Sequence, residues 1–177
     1  RAAINFHDGP LPAYAGPNTP SWALLEGESE HGVTWHLMTD AVDCGDILAS
    51  ETLAIEDGET ALSLNTKCFE AGLRTFAALA EDLTAAVERR QPVSSPPERF
   101  FGKEARPVAA ATIVWDAPAH EIGRPVSALG FGFHRNPLGV AKTLLGDRLI
   151  LVHAATALDP ASGAAPGTII DGGESPI

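Results

Sequence analysis

The 177-residue chain is long enough for one ordinary domain with a sizeable core, and 45% hydrophobic with 20% charged residues is a globular composition. It contains no run of about 18 consecutive apolar residues, which excludes a transmembrane helix, and its opening RAAINFHDGP has no apolar stretch of signal-peptide length. The net charge of −11 is concentrated in residues 1–60, where eleven acidic residues face the single basic Arg1, so this segment repels a polyanion and argues against nucleic-acid binding.

In chain order, Ala2–His7 reads as a buried strand whose C-terminal end is exposed. Asp8–Asn18, with three prolines and two glycines, reads as a restricted loop. Thr19 is placed as the N-cap of a short helix, with Pro20 at its first position and Gly27 at its end. Gly32–Met38 and Asp46–Ile55 read as strands, separated by the loop Thr39–Gly45. Thr60 caps a helical region reaching about Arg89, long enough to be two helices. Its buried face is expected at Leu62, Leu64, Cys68, Leu73, Phe76, Leu79, Leu83 and Val87. The composition breaks at Ser94-Ser95-Pro96-Pro97. Beyond it, strands are expected at Ala111–Trp115, Ala141–Leu145, Arg148–Val152 and Gly167–Ile170, with a helix over Ala119–Leu129. The domain division that follows is 1–92 for an α/β catalytic part, 93–107 for a linker and 108–177 for a small β-rich appendage.

Asn5 and His7 alternate by two on one strand, so their side chains share a face at its exposed end. Asp43 follows His7 by 36 residues, in a Val-Asp-Cys-Gly loop between two strands. Ligands of open α/β sheets bind at the carboxyl ends of strands, where the three could converge. An amide, an imidazole and a carboxylate suit acyl transfer to an amine. Asn5 and His7 would hydrogen-bond the negative charge developing on the acyl oxygen. Asp43 would orient His7 and help remove a proton from the amine. No serine or cysteine sits in a nucleophile setting. Cys44 and Cys68 form neither a CxxC nor a metal set, so no metal is expected, and a reducing cytoplasm fits them. His36 alternates with Trp35, so one of the two faces the cleft; it is held as a candidate substrate contact. Trp22, Trp35, Phe131 and Phe133 read as core or wall residues, and His134 and His153 as structural.

The stretches INFHDGPLPAYAG and ALLEGESEHGVTWHLMTDAVDCGDIL resemble the core of the 10-formyltetrahydrofolate-dependent formyltransferases. That family includes methionyl-tRNA formyltransferase, glycinamide ribonucleotide formyltransferase and the sugar-amine formyltransferases. Its marks fall here on Asn5 and His7, Leu11-Pro12, Gly32-Val33-Thr34 and Asp43-Cys44-Gly45. ALGFGFHRNPLGVAKTLLGDRLILVHAA and PGTII are similar to the small C-terminal β-barrel of the tRNA and sugar enzymes. The resemblance implies half of a Rossmann-like α/β domain, followed by part of that barrel. It implies 10-formyltetrahydrofolate as co-substrate, with Asn5, His7 and Asp43 catalytic. It also implies folate contacts along Thr39, Asp40, Ala41, Val42 and Asp43, and a substrate loop at Gly9, Pro10, Leu11 and Pro12. The family carries a further half-domain before the Asn-x-His strand, so the chain is expected to be a fragment of a longer protein.

The tRNA enzymes carry basic residues around the Leu-Pro loop, where this sequence has Ala13 and Ala15, which argues against tRNA. FHDGPLP-x-YAG, NTPSWALL and SLNTKCFEAG most resemble formyltransferase domains of non-ribosomal peptide and polyketide synthetases. The expected acceptor is therefore a small-molecule or carrier-protein-bound amine, and the expected partners are other modules of a larger polypeptide. The alternatives are methionyl-tRNA formyltransferase, a formyl-folate hydrolase, and an inactive interaction domain.

Overall fold

The structure, a computed structural model, describes residues 3–93, 96–157 and 163–169. Its central sheet has three strands, β1 (Ile4–His7), β3 (Glu30–Leu37) and β4 (Ile47–Ala54), in the order β1-β3-β4 and antiparallel throughout. A two-residue strand β2 (Tyr14–Ala15) lies between β1 and helix α1 (Thr19–Glu26) and pairs in parallel with β5 (Arg99–Phe100). Register places Asn5 opposite His36 and His7 opposite Thr34. Paired residues project to the same side and alternate along each strand. One face therefore carries Asn5, His7, Thr34 and His36, and the other carries Phe6, Val33 and Trp35.

The apolar face is covered by α2 (Ala61–Glu81), with Val33, Cys68 and Ala71 forming a buried cluster against Phe6 and Leu53. Trp35 packs 5.1 Å from Phe6 and 4.9 Å from Phe76, and its indole N–H donates to Thr75 Oγ1 at 3.1 Å. The helix can approach closely because its inner face is small: a Cβ built at Gly72 would stand 2.5 Å from the Phe6 ring. The inner face is thus Ala61, Leu64, Cys68, Ala71, Gly72 and Leu79. Leu73, Phe76 and Leu83, expected inside, are exposed, and Leu62 and Val87 are half-buried. Leu64, Cys68 and Leu79 are buried as expected; periodicity missed Ala61, Ala71 and Gly72 because alanine and glycine did not count as core. The region does divide in two. Asp82 separates α2 from α3 (Leu83–Glu88), and its carboxylate accepts from the Ala85 N–H at 2.9 Å.

Helix α1 starts one residue earlier than expected. Its N-cap is Asn18 in the left-handed region, Thr19 is already helical, and the Thr19 hydroxyl donates instead to the Asp8 carbonyl at 2.5 Å. Gly27 closes the helix at φ 73°, as expected. Helix α4 (Ala119–Leu129) packs across α1, and one apolar cluster joins Tyr14, Trp22 and Ala23 to Ala111, Leu129 and Leu138. Leu64 packs with Leu24, Ala61 and Ala128. The Asn136 amide donates to Ser21 Oγ at 2.9 Å, tying the late Asn-Pro turn to the start of α1. Arg99 binds Tyr14, Glu26 and Glu28, anchoring the segment between the two halves.

A hairpin follows, β6 (Lys142–Leu145) with β7 (Arg148–Leu151), close to both expected strands. The strand expected at Ala111–Trp115 does not form: residues 108–111 make a tight turn with left-handed Ala109 and Ala110, and only Thr112 bridges Lys142. Gly167–Ile169 is not a strand, and Ile170, Ala2 and the Ser94-Ser95 break lie outside the described residues. Among the described residues no helix is long and apolar enough to cross a membrane. Because Leu64 is fully buried at the junction of α1, α2 and α4, Leu64→Ala is expected to cost about 2–5 kcal/mol, measurable by urea unfolding.

Candidate functional site

The polar face of the sheet builds a pocket of charge and imidazole around Asp43. The loop after β3 turns at Asp43, whose φ of 53° lies in the left-handed region that Asp tolerates better than most side chains. Two residues on, only glycine fits, since a Cβ at Gly45 would sit 1.6 Å from the Leu37 carbonyl oxygen. The loop therefore folds back against the end of β3 and inserts its carboxylate into the sheet face. Asp43 is 8% exposed.

Three partners hold that carboxylate. The Gly16 N–H donates to Asp43 Oδ2 at 2.8 Å, from a glycine at φ 89° that packs against the Phe101 backbone. His7 Nδ1 stands 3.7 Å from Oδ2 and His36 Nε2 stands 3.5 Å from Oδ1. The His36 contact, then the Gly16 N–H and the charges of His7 and His36, outweigh burial and hold the Asp43 pKa below the usual carboxylate range.

His7 donates Nε2–H to the Tyr14 carbonyl at 2.8 Å, which leaves Nδ1 facing Asp43, with Asp8 Oδ1 further out at 4.0 Å. The His7–Asp43 approach is an ion-pair distance rather than a hydrogen bond. Asn5 reaches the same centre by another route: its Nδ2 is 3.2 Å from His36 Nε2. The three residues singled out in the sequence are brought together, and the fourth member, His36, sits between two of them. The sequence signal for His36 was its alternation with Trp35. What chose between them was the pairing register opposite Asn5, which the sequence does not show.

The proposed substrate loop packs inward. Thr34 Oγ1 donates to the Gly9 carbonyl at 2.8 Å and accepts from the Leu11 N–H at 3.1 Å, and the Leu11–Pro12 peptide is cis. Gly9 and Leu11 are buried, while Pro10 and Pro12 are half-buried. Thr39, Asp40, Ala41 and Val42 are exposed beside the buried Asp43. The carbonyls of Ala41 and Val42 accept from Thr39 Oγ1 and Cys44 Sγ, and the N–H groups of residues 39–42 have no partner among the described residues. His31 is fully buried; it donates Nε2–H to the Asp8 carbonyl at 2.7 Å, and its Nδ1 has no hydrogen-bond partner among the described residues. Burial lowers its pKa, favouring the neutral ring.

The set offers two donors, an imidazole and an ionised carboxylate on a rigid sheet, with no side-chain nucleophile among them. Ionised Asp43 contributes stability above its unfolded pKa of about 3.8, and loses it as pH falls through the lowered folded value. Asp43→Asn is therefore expected to flatten the part of the acid-unfolding profile below about pH 3.8, as followed by circular dichroism.

Residues 1–79 match the model of the family described as Formyl transferase. An N-formyltransferase from Helicobacter canadensis, solved with folinic acid and dTDP-3-aminofucose, is 23% identical with a TM-score of 0.66, over 72% of this chain and 47% of that one. A sugar N-formyltransferase from a Shewanella species is 21% identical with a TM-score of 0.65, over 89% of this chain and 62% of that one. HypX from Aquifex aeolicus, in complex with tetrahydrofolic acid, is 20% identical with a TM-score of 0.64, over 80% of this chain and 23% of that one. The chain thus spans about half or less of the first such structures. Through 79 residues of sequence and most of its described fold, it is similar to the formyltransferases, and its α/β architecture is theirs.

Proposed function

We propose that this chain carries the catalytic site of a formyltransferase that moves a formyl group from 10-formyltetrahydrofolate to a primary amine. The observation that carries the reading is the convergence of Asn5, His7 and Asp43 on one buried centre, inside the segment that matches the Formyl transferase family. The folate co-substrate supplies an activated formyl group. The residues present suit it: Thr39, Asp40, Ala41 and Val42 are exposed next in sequence to the buried Asp43, and their N–H groups have no partner among the described residues. Asn5, through the amide hydrogen not shared with His36, donates a hydrogen bond to the negative charge that grows on the formyl oxygen, while His7, its Nε2–H held by the Tyr14 carbonyl, lines the site beside Asp43. Asp43, kept ionised, receives the proton that the attacking amine must shed, directly or through one water, and that proton passes to the folate nitrogen as its bond to the formyl carbon breaks; Asp43 also keeps His7 oriented. Packing of Gly9–Leu11 against Thr34 makes that loop a fixed wall for the acceptor.

For the acceptor we favour an aminoacyl or related amine on a carrier, within a larger synthetase. The support is the resemblance of residues 6–16, 18–25, 32–36 and 63–72 to such domains, together with alanine at positions 13 and 15. A sugar amine is the second reading, favoured by the sugar N-formyltransferases among the structural relatives. We also assign residues 1–92 to the catalytic part, 93–107 to a linker and 108–177 to a small β-barrel-like unit.

In the complete protein, 10-formyltetrahydrofolate should be consumed in an amine-dependent way when aminoacyl carriers and amino sugars are supplied. Asp43→Ala should lower the rate at least about a hundredfold, the scale of losing a general base. Formate released equally well without an amine would turn the assignment to a hydrolase. Absence of both folate binding and turnover would overturn it.

A further inference from the structure

We propose that His36 is a positioning residue for this site, holding the Asn5 amide and the Asp43 carboxylate in fixed relation to each other. The role rests on the formyl-transfer reading above; the geometry stands apart from it. His36 is 3% exposed and lies directly opposite Asn5 in the β1–β3 register. Its Nδ1–H is donated to the Leu37 carbonyl at 2.9 Å, which fixes the ring rotation and leaves Nε2 pointing into the site. There Nε2 meets Asn5 Nδ2 at 3.2 Å and Asp43 Oδ1 at 3.5 Å.

Two proton arrangements fit these contacts. A neutral ring accepts from the Asn5 amide; a protonated ring donates to Asp43, with the amide turned to present its oxygen. In both, one ring touches both groups. The loop bearing Asp43 shares the anchor, since Gly45 lies against the Leu37 carbonyl that binds His36, with a built Cβ 3.3 Å from His36 Nδ1. His31 is the contrast within the same strand: equally buried, it makes one backbone hydrogen bond and leaves its other nitrogen without a hydrogen-bond partner among the described residues. A core-filling histidine needs no more than that.

The groups facing Asp43 are His7 from β1, His36 from β3 and the Gly16 N–H, with Asp8 behind His7. His36 is the largest of the influences that lower the Asp43 pKa. Its removal should therefore raise the Asp43 titration midpoint.

The test uses the complete protein with aspartate carboxyl carbons labelled with carbon-13. His36→Asn keeps an amide near the Leu37 carbonyl but withdraws the atom at Nε2, whereas His36→Gln returns an amide to the Nε2 position. In His36→Asn, kcat is expected to fall roughly 10- to 100-fold, with the KM for 10-formyltetrahydrofolate within about twofold. The Asp43 titration should move upward and the melting temperature should stay near that of the wild type. His36→Gln should restore most of kcat. An unchanged kcat with an unchanged Asp43 titration in His36→Asn would overturn the proposal. So would equal impairment of both variants with lowered melting, the signature of a packing role. Should the wild type transfer no formyl group, the functional reading fails, and the Asp43 titration alone decides: an upward move sustains the positioning role and no move ends it.

Discussion

A carboxylate buried to 8% exposure stays charged only if the fold surrounds it with partners, and Asp43 is such a group. Its partners come from three places in the chain, a backbone N–H at Gly16 and imidazoles on β1 and β3, and its own loop, pinned by Gly45, presents it to them. Each needs a particular backbone arrangement. Gly16 must take a positive φ against the Phe101 backbone, which brings the segment after residue 98 alongside β2. His7 must be held by the Tyr14 carbonyl, which fixes the loop between β1 and β2. The site is therefore not an addition to the fold; most of the loop geometry in the first 50 residues follows from keeping one anion paired.

The sheet makes this compatible with a stable core by separating its two faces. Phe6, Val33 and Trp35 point to α2, and Asn5, His7, Thr34 and His36 point away from it. Burial of the first set supplies the hydrophobic stabilisation that allows the second set to be polar and enclosed. Small residues on α2 matter as much as large ones on the sheet. Gly72 and Ala71 let the helix lie close enough that Phe6 and Trp35 are covered.

The later part of the chain does not stand off as a separate body among the described residues. Tyr14, Trp22, Leu129 and Leu138 share a cluster, Asn136 is bonded to Ser21, and Arg99 bridges Tyr14 to two glutamates. Those contacts converge on α1 and on Tyr14 in the segment before it. Packing of the C-terminal segment thus bears on the site indirectly, through Tyr14, whose carbonyl accepts from His7.

Much of this was readable from the chain because it depends on local rules. Alternation placed Asn5 and His7 on one face, Gly27 marked the end of α1, Thr60 the start of α2, and the Asp-Cys-Gly sequence marked a tight loop. The same local rules missed where partners were distant. The inner face of α2 was read only in part, at Leu64, Cys68 and Leu79, because alanine and glycine become core only when a phenylalanine from β1 is laid on them. The strand expected at Ala111–Trp115 failed because it has no partner strand to pair with beyond a single bridge. Thr19 lost its capping role to Asn18 because the Asp8 carbonyl claimed its hydroxyl. His36 was a one-in-two guess until β1 and β3 were paired. By itself, then, the sequence determined the identities, order and local turns of the site, since these rest on backbone propensities within a few residues. Which of Trp35 and His36 turns to the carboxylate, and which small residues of the long helix are inside, was decided only by the tertiary structure, because each depends on strand register and packing between residues up to 66 positions apart, as with Phe6 and Gly72.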